Sequence, residues 1–232
     1  MTKIEVLSYL EENQDARGIA HWESHAGKAG GLRTYGVGLT RLRKFAKGLS
    51  KDASLARELW QSDVYEMKII SLLVDDPKTM TLDQVEKQVD QLEGGYLAHV
   101  FSSCGATLAR TSFVVELAEQ WMTSDDPVRR PCGYGLLYEI SKDKRRSAPD
   151  DAYFRDHLDR IDASWKDQPI LVLMAMGGAV QGIGVRNKEL HSPALALAHT
   201  IGPIDFDPNG RCDPFNVAKN LTSDYVRKKF GL

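Results

Sequence analysis

The chain has 232 residues, 42% hydrophobic and 27% charged, with a formal net charge of −2. These are ordinary globular values and enough chain for one substantial domain or one solenoid, while the slight negative charge weighs against a nucleic-acid reading taken globally. The apolar stretch 169–184 is interrupted by Ala175, Gly177, Gly178, Ala179, Gln181 and Gly182, which makes it a buried helix and not a membrane span.

The N-terminus, MTKIEVLSYLEEN, reads as a helix capped by a Thr2/Glu5 box, not as a signal peptide. Helical periodicity then predicts helices at 3–13, 16–28, 39–48, 53–61, 64–74, 82–91, 96–109, 112–122, 127–142, 150–164, 168–184, 188–201 and 215–229. Asp52, the Thr81/Gln84 box and Pro127 mark starts. No alternating run of strand length stands out. Connections are short, and pairs recur about every 35–40 residues. The expected fold is therefore all-α: one domain over 1–232, a right-handed superhelical stack of about six HEAT-like helix pairs with a concave binding face. Helix 168–184, lacking a polar face, should be among the most buried.

Charge is unevenly spread. Residues 61–128 carry four basic and twelve acidic groups, whereas 129–146 carry six basic and two acidic. The basic loop Lys142-Asp143-Lys144-Arg145-Arg146 can meet a phosphate backbone or be an ordinary solvated loop. His21 and His25 stand one helical turn apart but lack a third ligand. Asp205, Asp207, Asn209 and Gly210 match half a calcium loop and are better explained as a turn. Cys104, Cys132 and Cys212 have no paired spacing, which argues for reduced thiols in a cytoplasmic protein and against zinc. Ser102, Ser103 and Cys104 near His99 form a weak nucleophile candidate of a kind common by chance. No cofactor or metal is expected.

The order Gly36-Val37, Leu42-Arg43, Ala46-Lys47, Leu59-Trp60 and Asp76-Pro77 resembles the AlkD-like DNA alkylation repair family, HEAT-like repeat DNA glycosylases. The resemblance covers roughly residues 15–190 and implies binding of duplex DNA, alkylated DNA included, with release of N3- or N7-alkylated purines by base excision. In that family a Trp-Asp-x-x-Asp motif carries the catalytic carboxylate. Here the register holds Gly95-Tyr96-Leu97-Ala98-His99, so His99 fills the carboxylate position and Gly95 the Trp, with Tyr96 an adjacent aromatic. The family's Arg motif matches at 125–130 and places Arg130 on the DNA face, with Arg129 beside it. A third motif keeps Ala175, Ile183, Gly184, Arg186 and Asn187. It has Leu173 and Met174 for two Lys, Gly178 for Trp, Gln181 for Arg and Val185 for Lys.

Packing residues are kept while surface chemistry is removed. The resemblance therefore implies a divergent member with weak or lost glycosylase activity, with Arg130, Arg129, Lys144, Arg145, Arg146, Tyr96 and Arg186 as candidate DNA contacts. The alternative is a non-catalytic HEAT-repeat scaffold that binds a protein partner. A cytoplasmic monomer without membrane association is expected in either case.

Overall fold

The computed structural model describes residues 1–24, 31–92, 95–145, 147–207 and 212–232, with backbone alone at 95 and 96. The described residues form fourteen α-helices and one 3-10 turn. Two isolated bridges, Arg33 to Val64 and Ile204 to Phe215, are the sole extended pairings among them. No described helix is long and apolar enough to cross a membrane. The chain divides into two compact units, Met1–Val114 and Val115–Leu232.

The N-terminal unit runs through α1 (Lys3–Glu12), α2 (Ala16–Glu23), α3 (Leu39–Lys47), α4 (Ala53–Trp60), α5 (Tyr65–Val74), α6 (Leu82–Val89), α7 (Gly95–Ser102) and a 3-10 turn (Thr107–Arg110). The expected caps form: Thr2 and Glu5 close a reciprocal box, Asp52 accepts from Ser54 and Leu55 N–H, and Thr81 accepts from Gln84 N–H. Helix α5 is the hub. It packs on α3, α4 and α7, and Met67, Ile69, Ile70, Leu72, Leu73 and Val74 are all buried. The Gly36-Val37 turn is forced by backbone crowding. Gly36 has φ +73°, and a Cβ on the facing Gly18 would lie 2.2 Å from the Gly36 carbonyl oxygen.

The helix expected over 96–109 ends at Ser102. Ser102 and Ser103 hydroxyls donate to the Ala98 and His99 carbonyls (3.2 and 2.6 Å), and the His99 carbonyl also accepts the Ser103 N–H at 3.0 Å in the last helical turn. Cys104 (φ +58°) and Gly105 (φ +85°) then turn left-handed.

The C-terminal unit holds α8 (Val114–Met122, whose first residue belongs to the other unit), α9 (Arg129–Lys142), α10 (Asp151–Ser164), α11 (Ile170–Arg186), α12 (Lys188–Ile201), α13 (Val217–Leu221) and α14 (Asp224–Phe230). Helix α11 packs against α9, α12 and α13. Its small residues set the approach: a Cβ on Gly182 would meet Ser141 Oγ at 2.5 Å and Tyr138 Cδ2 at 2.6 Å. The helix is as buried as expected along Met176–Ile183, but Ile170 and Leu171 at its start are 41% and 49% exposed. The single helix expected over 215–229 is two. Thr222 and Ser223 hydroxyls donate to the Ala218 and Asn220 carbonyls (2.9 and 2.7 Å), and Ser223 stands at the N-cap position of α14 without a side-chain cap bond.

Candidate nucleic-acid interface

In the C-terminal unit, α9 begins with the candidate arginines. The Asp126 carboxylate accepts from Val128 and Arg129 N–H, both at 2.8 Å, and so fixes the helix start. Arg129 folds back onto the same carboxylate, Nη1 to Oδ2 at 3.4 Å, with its side chain 21% exposed. These contacts, with burial working against them, hold Asp126 below its ordinary value. Arg130 is half-buried, and its Nε donates to the Met122 carbonyl across a long 3.4 Å. Its guanidinium charge reaches the buried Tyr134 one turn along.

Further along the unit, a cleft of about 510 Å³ opens between α9, α11 and α14. Lys142, Lys144 and Lys229 line it with Tyr138, Tyr225 and Gln181, and no carboxylate lines it among the described residues. Lys142 lies over the Tyr138 ring at 4.3 Å and pairs with Glu139 at 2.7 Å. Lys229 donates to the Val185 carbonyl. Partial burial and the neighbouring Lys144 charge push its ammonium below the ordinary lysine value. Two cations that disfavour one another across an open cleft are a ready anion site.

Lys144 is exposed on this cleft. Arg145 is exposed and chelated by Asp143 at 2.7–3.0 Å. Arg146 and the side chain of Tyr96 lie outside the described residues, as do His25 and 208–211 of the candidate calcium turn. No group of three metal-ligating side chains occurs among the described residues.

Arg186 borders the same cleft but turns most of its donors inward. It donates to the carbonyls of Ser141 (2.9 Å), Asp143 (2.7 Å) and Pro149 (3.2 Å) and to Asp151 Oδ1 (3.1 Å), and lies over the Phe154 ring at 4.5 Å. It clamps the 141–151 connection with four of its five N–H donors, and at 12% exposure it forms part of the cleft wall. The more exposed face of α11 carries Leu171, Met174, Gly178, Gln181 and Val185, a neutral stripe. A Cβ on Gly178 would meet nothing within 4 Å, so the position corresponding to the family's Trp is open.

In the N-terminal unit His99 is exposed near the end of α7. Its Nδ1 lies 3.3 Å from Ser103 Oγ and its Nε2 3.3 Å from Cys104 Sγ. The sequence missed Lys229 and Tyr225, although the run Arg227-Lys228-Lys229 was a basic helix end that could have drawn attention.

The sequence profile of the family described as "DNA alkylation repair enzyme" matches residues 6–202, and the chain belongs to that family. A solved structure described as "A new family of proteins related to the HEAT-like repeat DNA glycosylases with affinity for branched DNA structures" covers 100% of this chain and 97% of its own, at TM-score 0.81 and 18% identity. At that identity the likeness shows the fold: the helices form the all-α HEAT-like repeat solenoid. No curated protein matches.

Proposed function

We propose that this chain binds DNA through its C-terminal unit, using the cleft between α9, α11 and α14 as a phosphate-binding surface and Arg130 as a further contact. The observation that carries this is the cleft itself, lined by Lys142, Lys144 and Lys229 with no carboxylate among the described residues. A phosphate between Lys144 and Lys229 relieves their mutual repulsion and releases condensed counterions from the nucleic acid. Tyr138 and the 68%-exposed Tyr225 offer ring faces on which an unpaired base can stack. The affinity of the structural relative's family for branched DNA makes a DNA junction the first substrate to try.

N-alkylpurine glycosylase activity is weak or lost in this reading. The family's catalytic carboxylate position is inferred to hold His99, and an imidazole cannot stabilise cationic character on the deoxyribose as a carboxylate does. Loss of one preorganised electrostatic group costs about 10²–10³ in rate. A protein-binding scaffold is the second reading, favoured by the exposed Ile170 and Leu171.

The test is fluorescence anisotropy with a DNA junction and a linear duplex over a salt series, with base release from methylated duplex measured alongside. Lys144→Ala, Lys229→Ala and Arg130→Ala should each lower the slope of log affinity against log salt by about 0.9. Unchanged slopes remove these residues from the interface. No binding to either DNA favours the scaffold, and robust release of methylated purines overturns the assignment at His99.

A further inference from the structure

Three features of the N-terminal unit converge on Cys104, which no step of DNA binding uses. The first is the contact already described, Cys104 Sγ to His99 Nε2 at 3.3 Å. The second is what holds the imidazole. Ser103 Oγ has one proton, and its shortest contact is donation to the His99 carbonyl at 2.6 Å. The hydroxyl oxygen is then left to accept from His99 Nδ1–H at 3.3 Å. That arrangement selects the tautomer protonated at Nδ1 and turns the Nε2 lone pair toward the thiol. A nucleophile, a base, and a third group orienting the base is the pattern of an activated nucleophile. The third feature is the backbone. Cys104 sits at φ +58°, a conformation uncommon for a residue with a side chain and found disproportionately at functional sites.

Electrostatics act in the same direction. Burial pushes the Cys104 thiol up, but the His99 contact, Ser103 and the Arg43 guanidinium outweigh it and the net displacement is downward. Arg43 Nη2 lies 3.7 Å from where a Cβ on Gly105 would stand, beside the same turn. Cys104 is half-exposed, so a small molecule can reach Sγ, whereas Cys132 is buried and Cys212 is exposed.

We propose that Cys104 is a nucleophilic thiol, with His99 as its base and Ser103 as a positioning residue, and that it is alkylated stoichiometrically by small soft electrophiles bearing an anionic leaving group. In the step, Nε2 takes the thiol proton and Sγ attacks the electrophile's sp³ carbon. The S–C bond forms as the bond to the leaving group breaks. The leaving group departs opposite Sγ with the electron pair as an anion and passes into solvent, while the Arg43 charge favours the thiolate. This assignment is independent of DNA binding.

The experiment treats the full folded chain with iodoacetamide over pH 6–9 and follows each cysteine by peptide mass spectrometry. Cys104 should react at least about tenfold faster than Cys212 at pH 7, with a pH midpoint below the ordinary thiol value of about 8.5. His99→Gln should bring the Cys104 rate down to that of Cys212 and raise its midpoint while the Cys212 rate stays unchanged. Ser103→Ala should raise the midpoint by a smaller amount. The wild-type pH profile decides the question even where a variant folds poorly. Equal rates at Cys104 and Cys212 with an ordinary midpoint overturn the proposal, as does a folded His99→Gln protein that alkylates Cys104 at the wild-type rate.

Discussion

Glu66 is a carboxylate buried to 1% exposure at the start of α5, and one of its oxygens does most of the work. Oε1 accepts from Thr34 Oγ1 at 2.6 Å, from Tyr35 N–H at 3.0 Å and from Val37 N–H at 3.1 Å. This single atom pins the Gly36-Val37 turn to the hub helix. Glu66→Ala leaves three donors without their acceptor. The Val37 amide is buried and cannot recruit water, while Thr34 and Tyr35 are half-buried and can in part. An orphaned buried donor costs about 1–3 kcal/mol, so one full and two partial losses come to about 3–5 kcal/mol. Glu66→Gln keeps an oxygen at the Oε1 position and puts an amide where Oε2 is buried without a partner, which should cost about 1–2 kcal/mol. Urea unfolding followed by circular dichroism, with the slope of each transition compared, measures both. For a chain of this size the alanine variant should lose about 6–20 °C in melting temperature. A loss below about 1 kcal/mol for Glu66→Ala, or equal losses for the two variants, would refute the clamp.

Two further expectations concern the C-terminal unit. His157 is buried with Nε2 2.7 Å from Glu119 Oε1, and Arg160 holds the other Glu119 oxygen at 3.0 Å. Burial lowers the His157 value against the pull of Glu119, and Glu119 is lowered because its partners outweigh its own burial. The unfolded chain therefore binds more protons than the folded one on the acid side. Stability should be fully present above the ordinary histidine value of 6.5, fall as His157 is forced to protonate, and fall again as the carboxylate titrates below 4.5. Melting temperature against pH checks this, and His157→Gln should flatten the upper limb; a profile level from pH 7 to 4 would contradict it. Arg186→Ala should cost about 2–4 kcal/mol, and Arg186→Lys should recover little because one ammonium cannot span three carbonyls. Equal stability of Arg186→Lys and wild type would show that charge alone suffices.

Much of the helical order was legible because it rests on local chemistry. Asp52, Thr81 and the Thr2/Glu5 box cap where their spacing says they should. The motif residues Gly184, Arg186 and Asn187 were recognisable as scaffold, yet the task of Arg186 was not. Its acceptors at Ser141, Asp143 and Pro149 lie 37–45 residues away and meet only when α9 and α11 pack. Lys229 escaped notice for the same reason. A lysine in the last turn of a short helix reads as a solvated end, and it lines a cleft because α14 lies against Val185 on α11.

The Cys104 site was legible in the sequence only as a weak candidate, because the helix expected there does not bring its groups together. On a helix continuous through 96–109, residues five apart point about 140° away from each other, so His99 and Cys104 would face different sides. A continuous helix over that stretch would keep the pair apart. What joins them is the break. The Ser103 N–H closes the last turn on the His99 carbonyl, the chain turns left-handed at Cys104 and Gly105, and Sγ returns to within 3.3 Å of the imidazole. A straight helix would be locally cheaper, because φ +58° on a residue with a Cβ costs of order 1–3 kcal/mol. The buried contacts that follow, Thr107 Oγ1 on the Leu72 carbonyl at 3.0 Å among them, hold the turn in place against that cost. The strain and the thiol–imidazole contact therefore have one origin, and a substitution that straightened this segment would remove both together.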